Sequence, residues 1–266
     1  MVDTDIATPE ALAEWAIFAA ELAEIAGDIT TRHFRTSVPQ ELKEDATPVT
    51  LADQATETAL RDAIRSRYPD HGIYGEEWGT ENADARLRWV LDPIDGTRPF
   101  LCGIPTYVTL IALALDGVPI IGIIDQPVIN ERWIGIHDQP TIHPQTPVPV
   151  SIEKLNQAII GTSDPSLFSA KAGESYRRLR AACAHQVCGG DGYLYGRLAS
   201  GAPHLVCEYG LKPHDFAALI PVISGAGGVI TDWAGKSLTL DSAGDVIAAS
   251  SPELHAQALP LLTPQS

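Results

Sequence analysis

The sequence predicts an α/β fold, α+β in its first half, with helices and sheets stacked in layers. Two observations carry this. Three apolar, β-branched runs at 107–115, 119–125 and 131–136 follow one another through short connections, which implies an antiparallel sheet. Beyond them, from 158 to 262, the pattern alternates between strand and helix.

The elements follow in order. Thr8-Pro9-Glu10 reads as a capping threonine and a proline at the first helical position. Leu12, Trp15, Ala19, Leu22, Ala26 and Ile29 then recur at three- and four-residue spacing and give this helix one buried face. Thr47-Pro48-Val49 is extended, and Thr50-Leu51-Ala52-Asp53 fits a capping box opening a helix to about Tyr68. Ile73-Tyr74 ends a short strand, and 80–86 reads as a polar surface loop. Arg88-Trp89-Val90-Leu91 reads as a buried strand, and Asp116-Gly117 as a hairpin turn. Prolines at 140, 144, 147 and 149 mark a link between an N-terminal half, 1–146, and a C-terminal half, 147–266. The second half offers strands at 158–161, 185–188, 204–208, 229–231 and 245–248. Helices are expected at 173–184, 191–199, 212–223 and 252–262.

The chain has 266 residues, 45% hydrophobic and 20% charged, enough for a sizeable core. Its formal net charge of −16 argues against nucleic acid and against an anionic membrane surface. No apolar run reaches membrane-spanning length and the N-terminus is acidic, so a cytoplasmic protein is expected. Cys102, Cys183, Cys188 and Cys207 form no CxxC pair and read as free thiols. The eight histidines contain no HxxxH pair, and none is assigned a metal.

The chemistry centres on Asp92-Pro93-Ile94-Asp95-Gly96-Thr97. Pro93 fixes φ between two carboxylates, and Gly96 lets the backbone turn sharply beside a ligand. Thr97 opens a turn whose free N–H groups suit a phosphate. Hard oxygen ligands beside an anion cradle suit Mg²⁺ shared with a substrate phosphate. Taken alone, the segment reads equally well as a strand, a turn and a helix cap.

Further motifs narrow the choice. Gly75-Glu76-Glu77, the run Trp89 to Thr97, and Asp215 before Gly225-Ala226-Gly227-Gly228 resemble the inositol monophosphatase superfamily of Mg²⁺-dependent, lithium-sensitive phosphomonoesterases. The resemblance runs from about Lys43 to about Gly235. It implies a layered α-β-α-β-α sandwich of the inositol monophosphatase and fructose-1,6-bisphosphatase type, commonly a homodimer. It also implies two or three Mg²⁺ ions per site. Glu76, Asp92 and the Ile94 carbonyl would bind one ion, and Asp92, Asp95 and Asp215 another. Thr97, paired with Asp53, would orient and help deprotonate the attacking water, with Glu76 close by. Gly96 and Thr97 N–H groups would hold the phosphate, and Lys43 and Glu77 would support the site. An acidic chain acting on anionic phosphates is then consistent, because bound ions invert the local charge.

The departures bear on the substrate, a small phosphate monoester. Arg98-Pro99-Phe100 stands where inositol monophosphatases usually carry Thr-Asn-Phe. Gly189-Gly190-Asp191 and Leu211-Lys212-Pro213-His214-Asp215 look closer to the branch acting on L-histidinol phosphate in histidine biosynthesis, although Tyr193 departs from it. That substrate carries an ammonium and an imidazole. Asp191 and Glu208 would suit the cation, with Arg98 nearby. The expected reaction is hydrolysis of L-histidinol phosphate. The alternative is an inositol-1-phosphate or broader sugar-phosphate phosphatase, and the more distant one a metal-dependent regulatory binder without turnover.

Overall fold

The structure, a computed structural model, describes residues 2–36, 40–42, 48–148 and 152–263. Elements are numbered along the chain. The first half runs α1 (Pro9–His33), β1 (Gln40–Leu42), β2 (Pro48–Thr50), α2 (Leu51–Arg67), β3 (Gly72–Gly75) and β4 (Gly79–Glu81). It continues with β5 (Leu87–Asp95), α3 (Thr97–Leu101), β6 (Val108–Leu115), β7 (Val118–Gln126) and β8 (Glu131–Ile136). The second half runs β9 (Ile159–Thr162), α4 (Ala170–Ala182), β10 (His185–Cys188), α5 (Asp191–Ala199) and β11 (Leu205–Glu208). It ends with α6 (Pro213–Phe216), α7 (Leu219–Gly225), β12 (Val229–Asp232), β13 (Val246–Ala249) and α8 (Pro252–Leu262).

Two sheets and three helical layers stack as α-β-α-β-α. The six-stranded sheet has the order β4-β3-β5-β6-β7-β8, and the five-stranded sheet β10-β9-β11-β13-β12. Strand alternation sorts the side chains between layers. In β6, Ile111, Leu113 and Leu115 join the core under α1 and α2, while Val108, Leu110 and Ala112 face a central core. That central core also takes Leu194, Val222, Val206 and Ala248, so α5 and α7 lie between the sheets. Ile247 and Ala249 of β13 point the other way, towards α4 and α8. Each sheet is therefore apolar on both faces, as a covered sheet must be.

Local signals hold at several points. Thr8 caps α1, its Oγ1 accepting the Ala11 N–H at 3.2 Å. Asp116 and Gly117 both take positive φ, 50° and 80°, as a tight two-residue hairpin requires. The differences are also local. Thr30 is fully buried on α1, whereas Ile29 is half-buried. Part of the expected loop 80–86 is strand β4, which pairs with β3 through its backbone. The first sheet is not wholly antiparallel, since β3 pairs with β5 in parallel. The expected helix at 212–223 is two short helices, α6 and α7.

Two glycines place α7. Gly122 and Gly135 sit opposite each other on β7 and β8. A Cβ on either would collide with the α7 backbone near Ala218 and Val222. Their bare surface lets α7 approach closely, and α6, just before it, then packs over β5.

Candidate metal centre

β5 supplies the middle of the site. Its pairing with β6 shifts register between Asp92 and Asp95, where Pro93 has no N–H to give the ladder. The Thr109 hydroxyl instead donates to the Pro93 carbonyl at 2.8 Å. Gly96 follows in the left-handed region, φ 87°. Its missing Cβ matters twice, because a Cβ there would also sit 3.0 Å from the Asp191 carboxylate. The Thr97 hydroxyl donates to the Ile94 carbonyl at 3.2 Å.

Helix α2 holds the neighbouring turn. Asp53, in its first turn, is 1% exposed. One turn on, the buried Glu57 carboxylate accepts the Glu77 N–H at 2.7 Å, the Trp78 N–H at 3.1 Å and Arg61 Nε at 2.8 Å. Arg61 also donates to the Gly79 carbonyl. The turn that follows Glu76 is thus held at three successive residues from one helix. Gly75 permits this, since a Cβ there would run into the Glu57 carboxylate.

These elements bring carboxylates together. Ligand atoms of Asp92, Asp95 and Asp215 lie within 4.8 Å of one another. So do those of Glu76, Asp92 and His214, which makes Asp92 common to both groups. Asp95 accepts the Gly192 N–H, and Asp215 accepts the Lys212 N–H at 2.6 Å. Asp92 is 1% exposed, and its buried Oδ1 has no hydrogen-bond partner. Burial, then the charges of Glu76, Asp95 and Asp215, push the Asp92 carboxyl well above its usual range. Burial and the charges of Asp191 and Asp215 do the same at Asp95. An unpartnered buried oxygen among crowded acids is costly unless a cation compensates it. All-oxygen donors on Asp92, Asp95 and Asp215 fit a hard ion such as Mg²⁺.

The wall beside this centre comes from α5 and β11. Asp191 opens α5 at φ 43°, a region non-glycine residues seldom occupy. Burial raises its carboxyl, opposed by the Ser163 hydroxyl and Arg98. Glu208 is 4% exposed and accepts Thr162 Oγ1 at 3.2 Å, the Ser163 N–H at 2.5 Å and Ser163 Oγ at 2.9 Å. Burial outweighs these three donors and pushes its carboxyl up to about 7. Arg98 is exposed and lies 3.8 Å from Asp164.

The inositol monophosphatase family model matches residues 11–265 of this chain. The chain belongs to the inositol monophosphatase family. It is 43% identical, over 93% of its length and 75% of the relative's, to a chloroplastic bifunctional phosphatase, IMPL2, of Arabidopsis thaliana. It is 34% identical to a histidinol-phosphatase of Chlorobaculum parvum, covering 86% of this chain and 90% of that one. Among solved structures, an inositol monophosphatase from Zymomonas mobilis superposes with a TM-score of 0.83 at 41% identity, covering 95% of this chain and 98% of that one.

As a family phosphatase, the protein is a phosphoric monoester hydrolase. The family's sandwich matches the layers observed. No helix among the described residues is long and apolar enough to cross a membrane. Of the residues expected from sequence, Glu76, Asp92, Asp95 and Asp215 converge, and Asp53, Ile94, Gly96 and Thr97 lie on the elements that carry or flank them. Glu77 contributes its N–H to the Glu57 contact, and Lys43 lies outside the described residues. Sequence reasoning passed over Glu57, Arg61 and Ser163; it read His214 within the Leu211 to Asp215 segment and assigned no histidine a metal, whereas a His214 ring nitrogen joins Glu76 and Asp92. Glu57 and Arg61 had a signal: they continue the α2 stripe from Asp53 at four-residue spacing, a charged row on a buried face.

Proposed function

We propose that this chain hydrolyses L-histidinol phosphate to L-histidinol and phosphate. The observation that carries this is Asp191, a carboxylate held beside Gly96 at the edge of the acidic centre. A carboxylate there pairs with a substrate ammonium, whereas inositol hydroxyls need no charge. The kinship with the Chlorobaculum parvum histidinol-phosphatase supports the reading. Glu208 is engaged by Thr162 and Ser163, and Ser163 also lies beside Asp191.

In this reading Asp92, Asp95 and Asp215 hold one Mg²⁺, and Glu76, Asp92 and the Ile94 carbonyl hold another. Bound Mg²⁺ neutralises phosphate oxygens and makes water a better nucleophile at neutral pH. Asp53 and Thr97 orient the attacking water and take up its proton. Gly96 and Thr97 N–H groups hold the phosphate. The water attacks in line, and no covalent phosphoenzyme forms.

A second reading, inositol 1-phosphate, is favoured by the Zymomonas mobilis inositol monophosphatase. Comparing kcat/KM for both esters in wild type and Asp191→Asn decides between them. The wild type should prefer histidinol phosphate. Loss of one charge-assisted bond, about 1.5–3 kcal/mol, should cost the variant about ten- to a hundredfold on that ester alone. A wild type that prefers inositol 1-phosphate would overturn the assignment.

A further inference from the structure

His214 stands where a packing residue would leave no polar atom unmatched. Its side chain is only 12% exposed, and its ring stacks on Tyr74 with centroids 5.8 Å apart. Yet Nδ1 is buried without a hydrogen-bond partner. Nε2 faces Asp215 Oδ1 at 3.5 Å. One ring nitrogen also lies within 4.8 Å of carboxylate oxygens of both Glu76 and Asp92. Asp92 adds its own buried, unpartnered Oδ1 to the same cluster. A histidine kept only for packing would leave that buried Nδ1 uncompensated.

We infer that His214 is a direct ligand of the ion held by Glu76 and Asp92, giving that position a nitrogen donor. This rests on the metal centre described under Proposed function. The consequence is selectivity. Mg²⁺ prefers an all-oxygen shell, while imidazole favours first-row transition ions. The imidazole adds affinity for a first-row transition ion at the Glu76 position, which also takes Mg²⁺, and adds none at the Asp95–Asp215 position. Pro213, at the first position of α6, fixes the backbone just before the ring.

The test is pulsed electron paramagnetic resonance on the full chain loaded with Mn²⁺. Bound Mn²⁺ should show imidazole nitrogen coupling, lost in His214→Phe, which keeps an aromatic ring against Tyr74. Calorimetric titration of that variant should show Mn²⁺ affinity falling about tenfold or more, the loss that even an outer partner's removal causes. Mg²⁺ affinity should change far less. Tightly bound Mn²⁺ without nitrogen coupling in the wild type, or coupling that persists in His214→Phe, would overturn the ligand and leave the carboxylate centre standing. Absence of any Mn²⁺ or Mg²⁺ binding to the wild type would overturn the centre itself, and the ligand with it.

Discussion

The Glu57 carboxylate receives the Glu77 main-chain N–H at 2.7 Å, and through that bond α2 sets the position of Glu76. The same carboxylate is paired with Arg61 in the buried interior. Glu57→Gln should therefore loosen the turn while keeping its volume. Breaking a buried pair costs about 3–5 kcal/mol, and loss of an outer partner raises metal dissociation constants about ten- to a hundredfold. Thermal unfolding and Mg²⁺ calorimetry check the two effects. Without any variant, the Glu77 and Trp78 amides should be protected from hydrogen exchange. Unchanged Mg²⁺ affinity in the variant would mean Glu57 is a core residue only.

Asp92 belongs to both ligand groups, so its loss should disable both positions. A chelator should abolish turnover and Mg²⁺ restore it. Asp92→Asn should fold, since it removes one charge from a crowded, buried cluster, but lose nearly all turnover. Mg²⁺ at a hundred times its dissociation constant stabilises a folded protein by about 2.7 kcal/mol. That rise in Tm should appear in the wild type and vanish in the variant. Full activity after metal stripping would contradict the assignment.

Thr97 offers a sharper kinetic test. Its hydroxyl donates to the Ile94 carbonyl, on the strand that carries Asp92 and Asp95. Thr97→Ala should lower kcat by roughly 10²–10⁴, the usual contribution of positioned proton transfer, and leave KM nearly unchanged. A change confined to KM would make Thr97 a binding residue.

Glu208 predicts a pH effect on stability. Its carboxyl is raised from 4.5 to about 7 by burial. Between those values the folded chain keeps a proton that the unfolded chain releases. This contribution to stability is full below about pH 4.5 and is lost as pH rises through about 7. Glu208→Gln should flatten the decline of Tm across that window, and its Tm should gain on the wild type at pH 8. Parallel Tm–pH curves would show that Glu208 is already ionised in the folded state.

Much of this protein is readable locally. The alternation in β6 and β13, the Asp116-Gly117 turn and the Thr8 cap each depend on neighbours a few residues away. The strand-and-turn Asp92 to Thr97 is of the same kind, and the four carboxylates Glu76, Asp92, Asp95 and Asp215 stand in recognisable surroundings.

What only the tertiary structure decided is which distant groups meet. Glu57 and Glu77 are 20 positions apart, and Glu208 and Ser163 are 45. Neither separation leaves a periodic trace, because a hydrogen bond across the core depends on how layers stack, not on helix or strand repeat. Gly122 and Gly135 show the cause most directly. In sequence they are ordinary strand glycines. In the fold they let α7 settle on the sheet, and α6 just before it then holds Asp215 and His214 over β5. The residue types were present in the sequence, but the Glu76–Asp92–His214 group forms where α6 packs over β5.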